Sequence, residues 1–171
     1  TLTGIYNRRF FFEQVSILIE QAKCSHTHIF IVIYDIDNII DNFKKVNDTY
    51  GHDMRDVVIK DFANVIVNSI RKSDIPARLG GEEFVVCLYN TDIENGFKVA
   101  DRIRQNFENS THTLNDITIR CTYSGGIYRI TEEDDIDSAL KKADETLYVA
   151  KRTIKNRVVI YKEGMDDELK N

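Results

Sequence analysis

The sequence predicts an α+β domain in which helices pack against a sheet containing antiparallel strands, and three observations carry that expectation. The chain has 171 residues, of which 42% are apolar, enough for one well-formed core and too few for two large domains. Short β-branched runs alternate with longer stretches of helical period. A paired-glycine hairpin lies among helical crossovers, so the sheet is not purely parallel.

In chain order, residues 7–24 place Phe11, Val15, Leu18, Ile19 and Ala22 on one helical face. Residues 29–34 are β-branched and aromatic and too short for a helix, which predicts a fully buried strand ending in Asp35-Ile36-Asp37. A helical or turn-rich stretch runs to Gly51-His52, followed by a helix over 54–72 through Val58, Phe62, Val65, Ile66 and Ile70. Strand-like residues 77–79 and 83–89 flank Gly80-Gly81, a pair suited to the positive φ of a tight turn. Residues 93–109 form an amphipathic helix, and Ile117, Ile119, Cys121 and Tyr123 alternate as one half-buried strand. A helix over 135–151 and a strand over 157–161 complete the order. Residues 1–162 are expected to form the domain, with 163–171 an acidic, disordered C-terminal tail.

Charge excludes some functions. With 23 Lys and Arg against 28 Asp and Glu, the net charge of −5 has the wrong sign for a dedicated nucleic-acid binder. It leaves room for a small phosphorylated substrate held by a few placed cations. Three cysteines without CxxC spacing argue for reduced thiols, Cys87 and Cys121 as core packing. No signal peptide and no apolar run near 18 residues is evident, so a cytoplasmic domain without direct membrane contact is expected, possible as part of a larger sensor.

Two clusters suggest chemistry. Asp35 and Asp37 share a parity if the strand continues, so one can reach a cation at the sheet's end; alternatively an Asp there caps the next helix. Glu82 and Glu83 at a hairpin tip repel each other, and either suit oxygen-ligated Mg²⁺ or are solvated surface acids. In a regular strand they would point to opposite faces.

The motifs Arg78-Leu79-Gly80-Gly81-Glu82-Glu83-Phe84, Asp35-Ile36-Asp37, Phe43-Lys44, Asn47-Asp48 and Gly51-His52 resemble those of the GGDEF domains, the diguanylate cyclases, in their GGEEF form. Leu2–Arg9, Ser124 with Gly126, and Ala143-Asp144, Tyr148, Ala150-Lys151 and Asn156 extend the resemblance along nearly the whole chain. It implies a palm-like fold, ferredoxin-like or nucleotidyl-cyclase-like, with a mixed, mainly antiparallel sheet surrounded by helices. It also implies a reaction: two GTP give cyclic di-GMP and two pyrophosphates, in a homodimer whose sites face each other. Mg²⁺ or Mn²⁺ is the implied cofactor.

By the same resemblance, Asp35, the Ile36 carbonyl and Glu82 match metal ligands. Glu83 matches a second-metal ligand or the group that activates the 3′-hydroxyl, so Asp35, Glu82 and Glu83 are the catalytic set. Asn47 and Asp56 match guanine readers; an ionised Asp accepts from N1–H and N2–H of guanine. Lys44, Lys151 and Lys155 match cations near the triphosphate, with Lys151 and Lys155 on one helix face if the helix extends that far; a solvated basic helix end is the other reading. Arg71-Lys72-Ser73-Asp74 matches the RxxD inhibitory motif, with Arg102 as its partner, which implies a cyclic di-GMP site; a helix-end ion pair is the alternative.

The sequence also departs from the pattern. Asn38-Ile39-Ile40-Asp41-Asn42 separates DID from FK with an excess of about one helical turn, in the loop expected to cradle phosphates. Arg55 replaces the glycine before the guanine-reading Asp, and Ile154 replaces a glycine between the cations. The competing expectation is therefore a weak or inactive module that binds GTP or cyclic di-GMP and signals through contacts.

Overall fold

The computed structural model describes residues 4–37 and 48–165, with backbone alone for 48–51. Residues 38–47, most of the expected helical or turn-rich stretch before Gly51 with the inserted segment 38–42, Lys44 and Asn47, lie outside the described residues, as do 166–171.

The first helix, α1 (Arg8–Ser25), starts where the Asn7 side chain accepts a hydrogen bond from the Phe10 amide at 2.8 Å. It ends at His26 in the left-handed region, φ 55°. Strand β1 (Ile29–Asp37) continues three residues past the expected end, so both Asp35 and Asp37 lie within it. Helix α2 (Asp48–Ser69) follows. Strands β2 (Ile75–Gly80) and β3 (Glu83–Tyr89) form the expected hairpin, with Gly81 at φ 50° in its two-residue turn.

Helix α3 (Ile93–Glu108) is capped by Asp92. The single strand expected over 117–123 is instead divided. Its first part, β5 (Ile117–Ile119), pairs with β4 (His112–Leu114) in a separate hairpin, and its last residues begin β6 (Thr122–Arg129). Helix α4 (Ile136–Arg152) carries a capping box between Asp135 and Ser138, and β7 (Val158–Ile160) follows.

The main sheet has the order β2-β3-β1-β6-β7, antiparallel except for the parallel pairing of β6 with β7. This is the mixed, mainly antiparallel sheet the sequence predicts. Strand alternation divides the core between its faces. Phe30, Val32, Tyr34, Phe84 and Val86 pack with α2 and α3, while Ile29, Ile31, Ile33, Val85 and Cys87 pack with α1 and α4. On the first face Phe62 stacks on Tyr123 at 3.6 Å and meets Phe107 edge-on. On the second, a Cβ at Gly126 would come within 2.4 Å of the Leu147 backbone nitrogen, so only glycine lets α4 sit this close to β6.

Two details bear on the ends of the domain. Tyr6 bridges to β2 and exchanges hydrogen bonds with Pro76 and Arg78, which brings the start of α1 to the hairpin. Packing also extends beyond residue 162: Met165 is buried and its sulfur accepts from the Thr146 hydroxyl. Cys87 and Cys121 are buried and free, as expected for core thiols, and burial pushes Cys121 up to about 12.

Candidate active site

The sheet register brings two of the expected catalytic acids together. Tyr34 pairs with Phe84 across β1 and β3, so the next position along each strand sets Asp35 beside Glu83. Both follow the parity of Ile33 and Val85 and belong to the α1/α4 side. Burial, then the Asp144 and Asp35 carboxylates, push the Glu83 carboxyl above its ordinary value, with Arg8 acting in the opposite sense. Burial and Asp35 raise Asp144 in the same way. Three acids therefore converge at the end of β1, and their repulsion is a place where a cation would be favoured.

Glu82 takes a different neighbour. It lies in the β2–β3 turn and ion-pairs with Arg55 of α2, so the two adjacent glutamates face different surroundings, as strand alternation suggested. Among the described residues, no three acidic, His or Cys side chains are grouped to hold a metal ion by themselves. The donor chemistry nevertheless fits Mg²⁺, which takes one or two carboxylates and completes its octahedron with phosphate oxygens and water. Asp35, Glu83 and the Ile36 carbonyl are all hard oxygen donors.

Lys151, expected beside a triphosphate, lies against the end of β1. Its Nζ donates to the Ile36 carbonyl and to Asp37 Oδ1 at 2.8 Å, and stands 3.6 Å from Asp35 Oδ2. Lys155 does not share its helix face. Helix α4 ends at Arg152, and Lys155 and Asn156 adopt positive φ of 62° and 45° as the chain turns into β7. The Asn156 amide donates to Asp37 Oδ2 at 2.9 Å, which fixes that turn. Ile154, in place of a glycine, points to solvent at 82% exposure. Asp56 is exposed on α2 next to Arg55.

Sequence reasoning left open whether Asp35 or Asp37 reaches a cation and did not foresee the buried role of Asp37. Only 1% exposed, it accepts from the Thr122 hydroxyl at 2.8 Å, the Ser124 hydroxyl at 2.8 and 3.0 Å, the Asn156 amide and Lys151. The signal was present in Thr122 and Ser124, two hydroxyls of one parity on the strand paired with β1.

The expected inhibitory residues lie elsewhere. Asp74 is buried and accepts from the Arg71 amide at 2.9 Å, the Arg71 guanidinium at 3.3 Å and the Tyr89 amide at 3.1 Å. Arg71 also donates to the Tyr89 carbonyl at 2.6 Å, and Arg102 to the Ser69 carbonyl at 2.6 Å. Arg71 and Asp74 border an open groove of about 690 Å³ with His28, Asn90 and Asn95. The ion pair at the helix end is thus formed, and Arg71 keeps 55% of its side chain exposed.

Residues 1–157 match the family model described as diguanylate cyclase, GGDEF domain. The response regulator PleD of Caulobacter vibrioides is 37% identical over 161 residues, covering 92% of this chain and 35% of the relative. The probable diguanylate cyclase DgcT of Escherichia coli is 40% identical over 163 residues, covering 93% and 34%. The chain thus spans about a third of the length of these curated relatives. Among solved structures, the active GGEEF domain of a diguanylate cyclase from Vibrio cholerae superposes with a TM-score of 0.82 at 30% identity, covering 94% of this chain and 99% of that one. The coiled coil and GGDEF domain of DgcB from Caulobacter crescentus, solved with cyclic di-GMP, gives 0.84 at 26% identity, covering 93% and 83%. On the match of sequence and fold alike, the chain belongs to the diguanylate cyclase GGDEF-domain family.

Proposed function

We propose that this domain is a diguanylate cyclase that, facing a second copy, condenses two GTP into cyclic di-GMP and two pyrophosphates. The observation that most supports the reading is the pairing of Asp35 with Glu83 at the end of β1, where the charge of one acid raises the other. A divalent cation, Mg²⁺ or Mn²⁺, would be held by Asp35, the Ile36 carbonyl, Glu82 and Glu83, and supplies charge neutralisation at the phosphates when bound.

The chain's own residues divide the remaining work. The Asp56 carboxylate, with Asn47, selects guanine by accepting from N1–H and N2–H. Lys44, Lys151 and Lys155 offset triphosphate charge, and Lys151 leaves the Ile36 carbonyl to do so. Glu83 either ligates the cation or takes the proton of the attacking 3′-hydroxyl. Its raised proton affinity suits the second role, because a base works best when its pKa approaches the working pH. Arg71, Asp74 and Arg102 form the product site, where the exposed guanidinium of Arg71 meets a guanine edge or face and holds domains in an unproductive arrangement. The substrate puts the domain in the cytoplasm, and no described helix is long and apolar enough to cross a membrane.

A second reading, a GTP- or cyclic di-GMP-binding module without turnover, is favoured by Arg55 on Glu82 and Lys151 on the Ile36 carbonyl. Product analysis of an enforced dimer incubated with GTP and Mg²⁺ separates the two. Cyclic di-GMP is expected; its absence overturns the enzyme reading and leaves the binding module.

A further inference from the structure

Arg55 lies one residue before Asp56 on α2, and its guanidinium reaches the β2–β3 turn to pair with Glu82 Oε1. The two partners are unequally exposed, Arg55 at 42% and Glu82 at 15%, so the carboxylate is largely withdrawn from water. Apart from Arg55, Glu82 Oε1 has no polar partner among the described residues. A carboxylate in that position needs a counter-charge, and Arg55 provides it. Glu83, the adjacent acid, has acids as its strongest charge neighbours.

A guanidinium and a divalent cation cannot both approach one carboxylate oxygen closely, because their mutual repulsion grows as the site is desolvated. We propose that Arg55 competes with the divalent cation for Glu82, so that the ion pair must open before Glu82 ligates metal. This inference rests on the metal reading of Asp35, Ile36, Glu82 and Glu83 above. Arg55 then acts as a positioning residue. It neutralises Glu82 in the metal-free domain and lowers metal affinity until its pair is exchanged. The residue at 55 thereby tunes how much cation the domain needs, without itself touching substrate.

The test uses the whole metal-free chain and Mn²⁺ alone, with the free ion followed by electron paramagnetic resonance. Arg55→Ala is compared with wild type, and Arg55→Gln is the second variant because it keeps reach and hydrogen bonding while losing charge. Both are expected to bind Mn²⁺ roughly three- to tenfold more tightly, the scale of one partly exposed charge pair. Arg152→Ala removes the same charge from the end of α4 and is expected to change affinity less than about twofold. Equal affinity in wild type and both Arg55 variants overturns the inference while leaving the metal reading standing. Equal tightening by Arg152→Ala also overturns it, since a general field and not the Glu82 pair would then be responsible. No Mn²⁺ binding by any form overturns this inference and the metal reading together.

Discussion

Asp35 and Asp37 lie two residues apart on the same face of β1, and the chain treats them oppositely. Asp37 is 1% exposed and saturated by Thr122, Ser124, Asn156 and Lys151, which join β1, β6 and the turn after α4. Asp35 keeps 39% of its side chain exposed, has Lys151 at 3.6 Å, and raises both Glu83 and Asp144 by its charge. The difference separates an acid whose charge the fold itself satisfies from an acid left under-compensated. The second kind is the one available to a cation and its nucleotide.

The largest effect expected on the under-compensated side is catalytic. Glu83→Gln keeps the shape and removes the charge, and cyclic di-GMP synthesis by an enforced dimer should fall about a thousandfold with an unchanged circular dichroism spectrum. Chromatography of the nucleotide products checks it. On the satisfied side, Asp37→Ala leaves two hydroxyls, an amide and an ammonium without their acceptor. Urea unfolding should show a loss of about 3 kcal/mol.

The Arg71–Asp74 turn extends the comparison, since Asp74 is satisfied as fully as Asp37 while Arg71 retains an exposed face. Arg71→Ala should weaken cyclic di-GMP binding by about tenfold or more in calorimetry, and raise turnover once product accumulates. Unchanged binding would remove the product site.

The smallest effect is on stability. For Glu83 and Asp144 the folded state holds its protons more tightly than the unfolded state, because both carboxyls are raised. Their contribution is present below the ordinary carboxylate values and is lost as pH rises through the folded ones. Asp144→Asn removes one such acid, so its melting temperature should exceed that of the metal-free wild type by about 1 °C at pH 7 and by nothing near pH 4. Calorimetry at the two pH values checks the sign.

Much of the fold was legible because apolar periodicity marks elements that bury a face. Helix α1, the β2–β3 hairpin, α3 and α4 begin and end within a few residues of expectation, and caps at Asn7, Asp92 and Asp135 explain where the helices start. The alternation of Ile117, Ile119, Cys121 and Tyr123 concealed a break, because both β5 and β6 present apolar residues to neighbours while pairing with different strands. At the site, motif spacing singled out Asp35 and Glu83, which the β1–β3 register does bring together. The role of Asp37 as a structural hub was harder to see, since its partners are 85 or more residues away in sequence and the hydroxyls of Thr122 and Ser124 point to it only once β1 and β6 are known to pair. Nor could it see that Arg55 reaches Glu82, because that depends on how α2 crosses the sheet. Whether Lys155 shares a helix face with Lys151 depended on where the helix ends, and it ends at Arg152, before the Asn156 amide donates to Asp37.

The division between the two aspartates is tested most directly by melting wild type, Asp35→Asn and Asp37→Asn with and without Mg²⁺ and a non-reacting GTP analogue. Asp35→Asn should melt within about 2 °C of wild type in the absence of ligand and lose the ligand-induced rise. Asp37→Asn should melt lower and keep the rise. A destabilised Asp35→Asn that still responds to ligand, beside a stable Asp37→Asn that does not, would contradict the account.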